Sequence, residues 1–422
     1  MTISKWTDRT ALGTTWLFVV LFMIPLVGFI HRLIINILID PISLEFSLTD
    51  TQASYLQGPP FAIVYGLMVI PMGLLADRGN RVLLLSSGAA LWSLGTVICG
   101  VAPTFELLFA ARMLVGLGEA ALLPAAVSLI GDAFEENRRG LAMGIFFTGV
   151  NAGFSSAYAV GGITLELAEA GLFQSIPFLT DLSPWRQVFV VLSVPGFLLP
   201  LLLLTIGEPD RHGAGDGPML AQPLRRLVSS RSVTIILLLV MLQAALLAIA
   251  DNGIYAWLPR LLSRMYLLEP TEIGLMLGAI VATAGAVAGP LAGKLSDYLI
   301  KSKGVAGPLI VISGAIGAAL LAAPFFAMGS TWLVYVATGL WVTAVVAASA
   351  TTFTFVSVAL PSNMRGVTAS LVTSIMALVG IGAGPTIIAV VLERITVTSG
   401  RVDLAIVVAA LPLCAIALLV TL

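Results

Sequence analysis

Gly73-Leu74-Leu75-Ala76-Asp77-Arg78-Gly79-Asn80-Arg81 and, far downstream, Gly293-Lys294-Leu295-Ser296-Asp297 each place a glycine-to-aspartate step in a short polar break between long apolar segments. Each step marks a tight cytoplasmic hairpin of a membrane protein. Pro71 and Pro290 precede them, and Asn137-Arg138-Arg139-Gly140 is echoed by Asn363-Met364-Arg365-Gly366 at nearly the same offset. The chain reads as two halves built alike, an organisation found in transporters.

Of 422 residues, 59% are hydrophobic and 10% are charged, against roughly 25% charged in soluble domains. Apolar windows recur, each near the ~20 residues a helix needs to cross a ~30 Å hydrocarbon core. Twelve are predicted, six per half. The first runs from about Ala11 to Ile39; it is too long for a signal peptide and has no small-residue cleavage site. The others start near Thr51, Val82, Phe105, Gly140, Val188, Val233, Ile273, Val305, Thr331, Gly366 and Val402. The predicted architecture is all-α, with a six-helix bundle over 1–207, a cytoplasmic linker over 208–231 and a second bundle over 232–422. With the amino terminus inside, Arg78, Arg81, Arg138, Arg139, Arg225, Arg226, Lys294 and Arg365 share its side, so both termini are expected in the cytoplasm.

Cys99 and Cys414 fall within apolar windows and read as packing residues. No phosphate-cradling loop is present: Gly289-Pro290-Leu291-Ala292-Gly293-Lys294-Leu295 has the wrong spacing and no hydroxyl after its lysine. Hydrolase motifs are missing too, so an enzyme is not expected. Gly380, Gly382 and Gly384 lie in an apolar window ahead of Pro385 and predict close helix packing or a bend.

Charges within hydrocarbon cost several kcal/mol, from about 2.5 upward, and persist where they pair or line a wet cavity. Helix 1 carries His31-Arg32. Helix 4 carries Arg112 and Glu119, seven residues apart and therefore on one face. These four are expected to form one coupling and headgroup cluster in which Glu119 screens the arginines and Glu119 or His31 takes up a proton. The alternative is a static ion network that fixes helix packing. The positive excess favours a substrate bearing carboxylate, phosphate or sulfate.

On helix 7, Asp251-Asn252-Gly253, followed by Tyr255, Trp257 and Pro259, predicts a weakened or broken helix facing the cavity. The alternative places Asp251 at the interface and Trp257 in an aromatic belt. Tyr65, Asn151, Tyr158, Gln243 and Trp341 are further cavity candidates, each also readable as packing. Gly73, Asp77, Arg78, Arg81, Arg139, Asp297 and Arg365 are assigned to a conformational gate. In it Asp77 caps a neighbouring helix and pairs with Arg81 or Arg139.

On these residues the chain resembles the major facilitator superfamily over its whole length. The first hairpin matches the superfamily's helix 2 to 3 signature, and Arg112 with Gly116 its helix 4 signature. Within it the chain is similar to the Spinster family of sphingolipid and lysolipid transporters, whose helix 4 reads Arg-x-x-x-Gly-x-Gly-Glu-Ala. Here that pattern is Arg112-Met113-Leu114-Val115-Gly116-Leu117-Gly118-Glu119-Ala120. Trp185-Arg186, Phe189, Pro195-Gly196 and Glu208-Pro209 extend the likeness. Where that family has aspartate before the helix 1 arginine, this chain has His31, which puts the coupling mechanism in question. Related helix 4 patterns also occur among organic-anion symporters.

The expected protein is a proton-coupled secondary transporter, a monomer in the cytoplasmic (inner) membrane. It would move a lysolipid or related amphiphile by alternating access, with no cofactor beyond protons and no nucleic-acid partner. The rivals are a small organic-anion carrier or drug efflux pump and, from another class, a non-transporting receptor or channel.

Overall fold

The computed structural model describes residues 11–211, 231–360, 362–396 and 401–422, and among them all regular structure is helical. In the first half the helices are α1 (Ala11–Leu33), α2 (Ile35–Phe46), α3 (Asp50–Gln57), α4 (Pro59–Arg78), α5 (Arg81–Val101), α6 (Phe105–Glu119), α7 (Leu122–Ala133), α8 (Glu136–Glu169) and α9 (Pro184–Leu204). In the second they are α10 (Arg231–Tyr266), α11 (Pro270–Lys303), α12 (Ala306–Ala322), α13 (Thr331–Ala359), α14 (Ser362–Ile375), α15 (Gly382–Thr396) and α16 (Val402–Thr421). A π-helical stretch, Met376–Ile381, joins α14 to α15. Taken with their interruptions they make twelve passes. Eleven of these are long and apolar enough to cross a membrane. The remaining pass, α8, is diluted by Gly144, Gly149, Asn151, Gly153, Ser155 and Ser156, and packs along α1.

The chain packs, by its described residues, into two units. One is drawn from Met1–Thr49, Pro60–Ala214 and Glu269–Gly278, the other from Asp50–Pro59, Gly215–Leu268 and Ala279–Leu422. In unit 1, α1 lies on α8 and α9, and α5 lies on α6 and α9. The start of α11 joins this unit because glycines remove the obstacle: a Cβ on Gly278 would stand 2.6 Å from the Ser155 carbonyl oxygen. In unit 2, α10 packs on α15 and α16, and α12 on α13. The short α3 belongs here through hydrogen bonds: Thr51 N–H to Glu393 (2.8 Å), Ser54 Oγ to Thr386 Oγ1 (3.2 Å) and Gln57 Nε2 to the Ala256 carbonyl (2.8 Å). Arg260, 1% exposed, pairs with Asp50 at 2.8 Å.

Two expectations from sequence are corrected. The seventh pass does not break at Asp251-Asn252-Gly253; α10 is continuous, and Gly253 serves contact, since a Cβ there would stand 2.7 Å from the Gly384 carbonyl oxygen. Gly380 and Gly384 face Ala248 and Ile249 in the same crossing. The downstream hairpin is not at Gly293–Asp297 either. There α11 runs on to Lys303 and the chain turns at Gly304, whose φ of 58° suits glycine.

Breaks occur instead within the first, second, fourth and eleventh passes. The fourth stops at Glu119 and restarts at Leu122. Pro124 accounts for this, because it has no N–H for the Ala120 carbonyl and its ring crowds that oxygen. Pro385 stands in the same relation to Ile381, where the π-helical stretch ends.

The upstream hairpin is held differently from expectation. Asn80 caps α5, accepting from Leu83 N–H at 2.7 Å. Arg81, 0% exposed, pairs with Asp132 and with Glu208 (2.6 Å) and donates to the Ser128 (3.2 Å) and Pro209 (2.8 Å) carbonyls. Asp77 is exposed. Arg81→Ala is expected to leave two carboxylates facing each other without their guanidinium, costing about 3–5 kcal/mol, seen as a lower Tm in detergent. An unchanged Tm would show that the knot contributes nothing to the fold.

Candidate functional site: a cationic cluster at mid-span

The span Thr15–Phe46 is centred on residues 30 and 31, and Phe105–Ala133 on residue 119, so Arg32 and Glu119 both sit at mid-span. Both lie at helix breaks. Arg32 is one residue from the end of α1, and Glu119 is the last residue of α6. A cation is favoured at a helix carboxyl end and an anion is not, so Glu119 occupies an unfavourable position within hydrocarbon.

Three residues of the helix 4 pattern, Arg112, Gly116 and Gly118, have a visible structural task. Arg112, 1% exposed, donates from Nη2 to the Arg32 carbonyl at 3.0 Å, tying α6 to the break after α1. Gly116 lets α6 approach α4, because a Cβ there would stand 2.7 Å from the Phe61 carbonyl oxygen. Gly118 does the same for α5 at Gly88. These approaches bring Phe61 beside both arginines: the Arg32 guanidinium stands 4.6 Å from its centroid, and that of Arg112 5.8 Å. Phe29 (5.3 Å) and Tyr65 (6.0 Å) complete an aromatic box around half-buried Arg32. Phe29 and Phe61 were not legible as site residues, since an aromatic residue in an apolar window carries no mark of its partner.

Glu119 is 2% exposed and its Oε1 has no hydrogen-bond partner. The cations whose fields reach it are Arg32 and Arg112, in that order. The cluster is therefore three ionic groups rather than four. His31 and Arg32 are consecutive and diverge by about 100° around the helix. The His31 ring turns to α9, where Nε2 meets the Leu192 carbonyl at 2.7 Å. Gly196 makes room for it beside Ser93.

The remaining candidates divide between the units. In unit 1, Tyr158 is buried and its hydroxyl accepts from Asn36 at 3.4 Å, while Asn151 is half-buried on the same helix. In unit 2, Gln243 Oε1 accepts from Thr352 Oγ1 at 3.4 Å, and Asp251 Oδ1 accepts from Trp341 Nε1 at 3.0 Å. Asn252 donates to the Ala248 carbonyl (2.9 Å) and Tyr255 is buried. Of the gate residues, Arg139 donates to the Phe134 carbonyl at 3.1 Å, Arg78 and Asp297 are exposed, and a Cβ on Gly73 would stand 3.8 Å from Pro124 Cβ, an ordinary contact. The Arg365 side chain lies outside the described residues.

Two further ionic centres went unrecognised in the sequence. Glu45 collects Ser183 Oγ (2.7 Å), Trp185 Nε1 (2.6 Å) and Arg186 (2.8 Å), and Asp50 holds Arg260. Their partners lie far off in sequence, so spacing gives no signal.

The family model of the Major Facilitator Superfamily matches residues 12–385. Protein spinster of Drosophila melanogaster is 27% identical over 72% of this chain and 49% of its own length. The Sphingosine-1-phosphate transporter SPNS2 of Xenopus tropicalis is 27% identical over 68% of this chain and 55% of its own. The chain thus spans about half the length of these curated relatives. Among solved structures, a bacterial homolog to the human lysosomal transporter Spinster, inward-facing and occupied, aligns with a TM-score of 0.83 at 26% identity, covering 98% of this chain and 97% of that one.

Proposed function

The chain belongs to the major facilitator superfamily, and on that premise we propose that it is a secondary active transporter carrying an amphiphilic lysolipid or related lipid by alternating access. It acts as a monomer in the cytoplasmic (inner) membrane, with both termini in the cytoplasm. The observation that carries the reading is the half-buried Arg32 guanidinium in its aromatic box, at mid-span and beside a second arginine. Two arginines against Glu119 leave a positive excess, which suits an acidic headgroup. Aliphatic helix faces suit a tail. The relatives include one named for sphingosine-1-phosphate, an acidic head on a lipid tail.

Transport is coupled to protons, and Glu119 carries them. It is the cluster's only acid, it has no hydrogen bond to hold it in one state, and the His31 ring is engaged with Leu192. Arg32 has two competing anionic partners in this scheme, Glu119 and the headgroup. When the headgroup takes Arg32, Glu119 must take a proton or remain an uncompensated charge.

The test is binding and flux in proteoliposomes. A lysophospholipid is expected to raise Tm and to compete with labelled lysolipid, while sugar acids and aromatic acids do neither. Glu119→Gln is expected to keep lysolipid counterflow but lose acceleration by an imposed pH gradient. Protection by organic acids alone would transfer the reading to a small-anion carrier, and gradient-driven flux intact in the variant would remove Glu119 from coupling.

A further inference from the structure

Unit 2 has an acid at mid-span that the cluster does not use. The span Thr234–Tyr266 is centred on residue 250, one residue from Asp251. This side chain is half-buried, and Trp341 on α13, itself 1% exposed, donates to it at 3.0 Å. From α16 the titratable group facing it is buried Cys414. From α15 and the π-helical stretch come the close glycine contacts of Gly380 and Gly384. On its own helix lie Asn252, committed to the Ala248 carbonyl, and Tyr255. Among the described residues no cation pairs with Asp251, and Trp341 is its one hydrogen-bond partner.

A carboxylate at the centre of a span is expensive, from about 2.5 kcal/mol upward, and one neutral donor does not compensate for a missing cation. Asp251 therefore needs a positive companion that none of the described residues supplies. A metal ion is a poor candidate. Hard cations take several oxygen ligands, whereas indole and thiol supply none, and no group of three metal-binding side chains occurs among the described residues. A proton needs no cage.

We propose that Asp251 is a second proton-binding site, housed in unit 2 and distinct from Glu119 of unit 1. Trp341 senses its state, because an N–H donates more strongly to a carboxylate than to a neutral carboxyl. Each unit then carries one acid at mid-span. The proposal rests on the transporter reading only for its use in a cycle; proton binding itself is testable without transport.

The experiment is infrared difference spectroscopy over a pH titration, in light and heavy water, on the full chain in nanodiscs. Glu119→Gln is the background, so Glu119 cannot contribute. It is expected to show a protonated-carboxyl C=O band that disappears as pH rises. Adding Asp251→Asn should abolish the band, and adding Trp341→Phe should keep it at a shifted frequency. Identical spectra with and without Asp251→Asn would overturn the proposal, as would removal of the band at constant pH by sodium or choline. Should Asp251→Asn not fold, Trp341→Phe decides: an unshifted band overturns it. None of these outcomes bears on lysolipid binding or on Glu119.

Discussion

Arg32→Ala is expected to abolish uptake or efflux of an acidic amphiphile while leaving the protein folded. The guanidinium is half-buried and faces three aromatic rings, and the hydrogen bond that ties α6 to this point uses the Arg32 backbone carbonyl, which alanine retains. Losing a charged hydrogen-bond donor costs about 1.5–3 kcal/mol, roughly a 10- to 150-fold loss of affinity. Transport falls further because Glu119 loses the first of its two cations. Arg32→Lys should recover binding only in part, since an ammonium keeps the charge but neither stacks on Phe61 nor offers a planar fork. Lysophospholipid titration followed by tryptophan fluorescence, with proteoliposome flux, reads both effects. Wild-type affinity in a folded Arg32→Ala protein would end the headgroup assignment.

Gly118→Val is expected to act on the fold itself. A Cβ at Gly118 would stand 2.5 Å from the Gly88 carbonyl oxygen, 2.6 Å from Trp92 N and 3.0 Å from Trp92 Cβ, and backbone atoms cannot swing aside. So α5 and α6 must part, Trp92, 0% exposed, loses its packing, and Glu119 moves with its helix end. Overpacking costs about 1–3 kcal/mol and sometimes more. Here the upper end applies and little monodisperse protein should survive extraction. Gly131→Ala in the same pass is the control. Nothing lies within 4 Å of its Cβ position, and alanine gains up to about 1 kcal/mol of helix propensity. A Gly118→Val protein as stable as Gly131→Ala would mean that the α5–α6 approach is not as close as described.

The pass count and the identity of Arg32, Arg112 and Glu119 as the ionic groups to watch follow from sequence alone, because the cost of charge in hydrocarbon depends on residue type and on distance from a span's ends. The same holds for Gly380 and Gly384 as packing residues. Other features depend on which helices meet. His31 reads as a partner of Arg32 until α9 supplies the Leu192 carbonyl. Arg81 reads as a partner of Asp77 until Asp132 and Glu208 arrive from α7 and from just beyond the end of α9. Asp251-Asn252-Gly253 reads as a break until Gly384 shows that the glycine is there for contact, while the true break beside Glu119 comes from Pro124. Hydrophobic pattern and desolvation cost are properties of one segment, legible along a line. A hydrogen-bond partner, an aromatic face or a close glycine crossing is shared between segments, and only tertiary packing decides it.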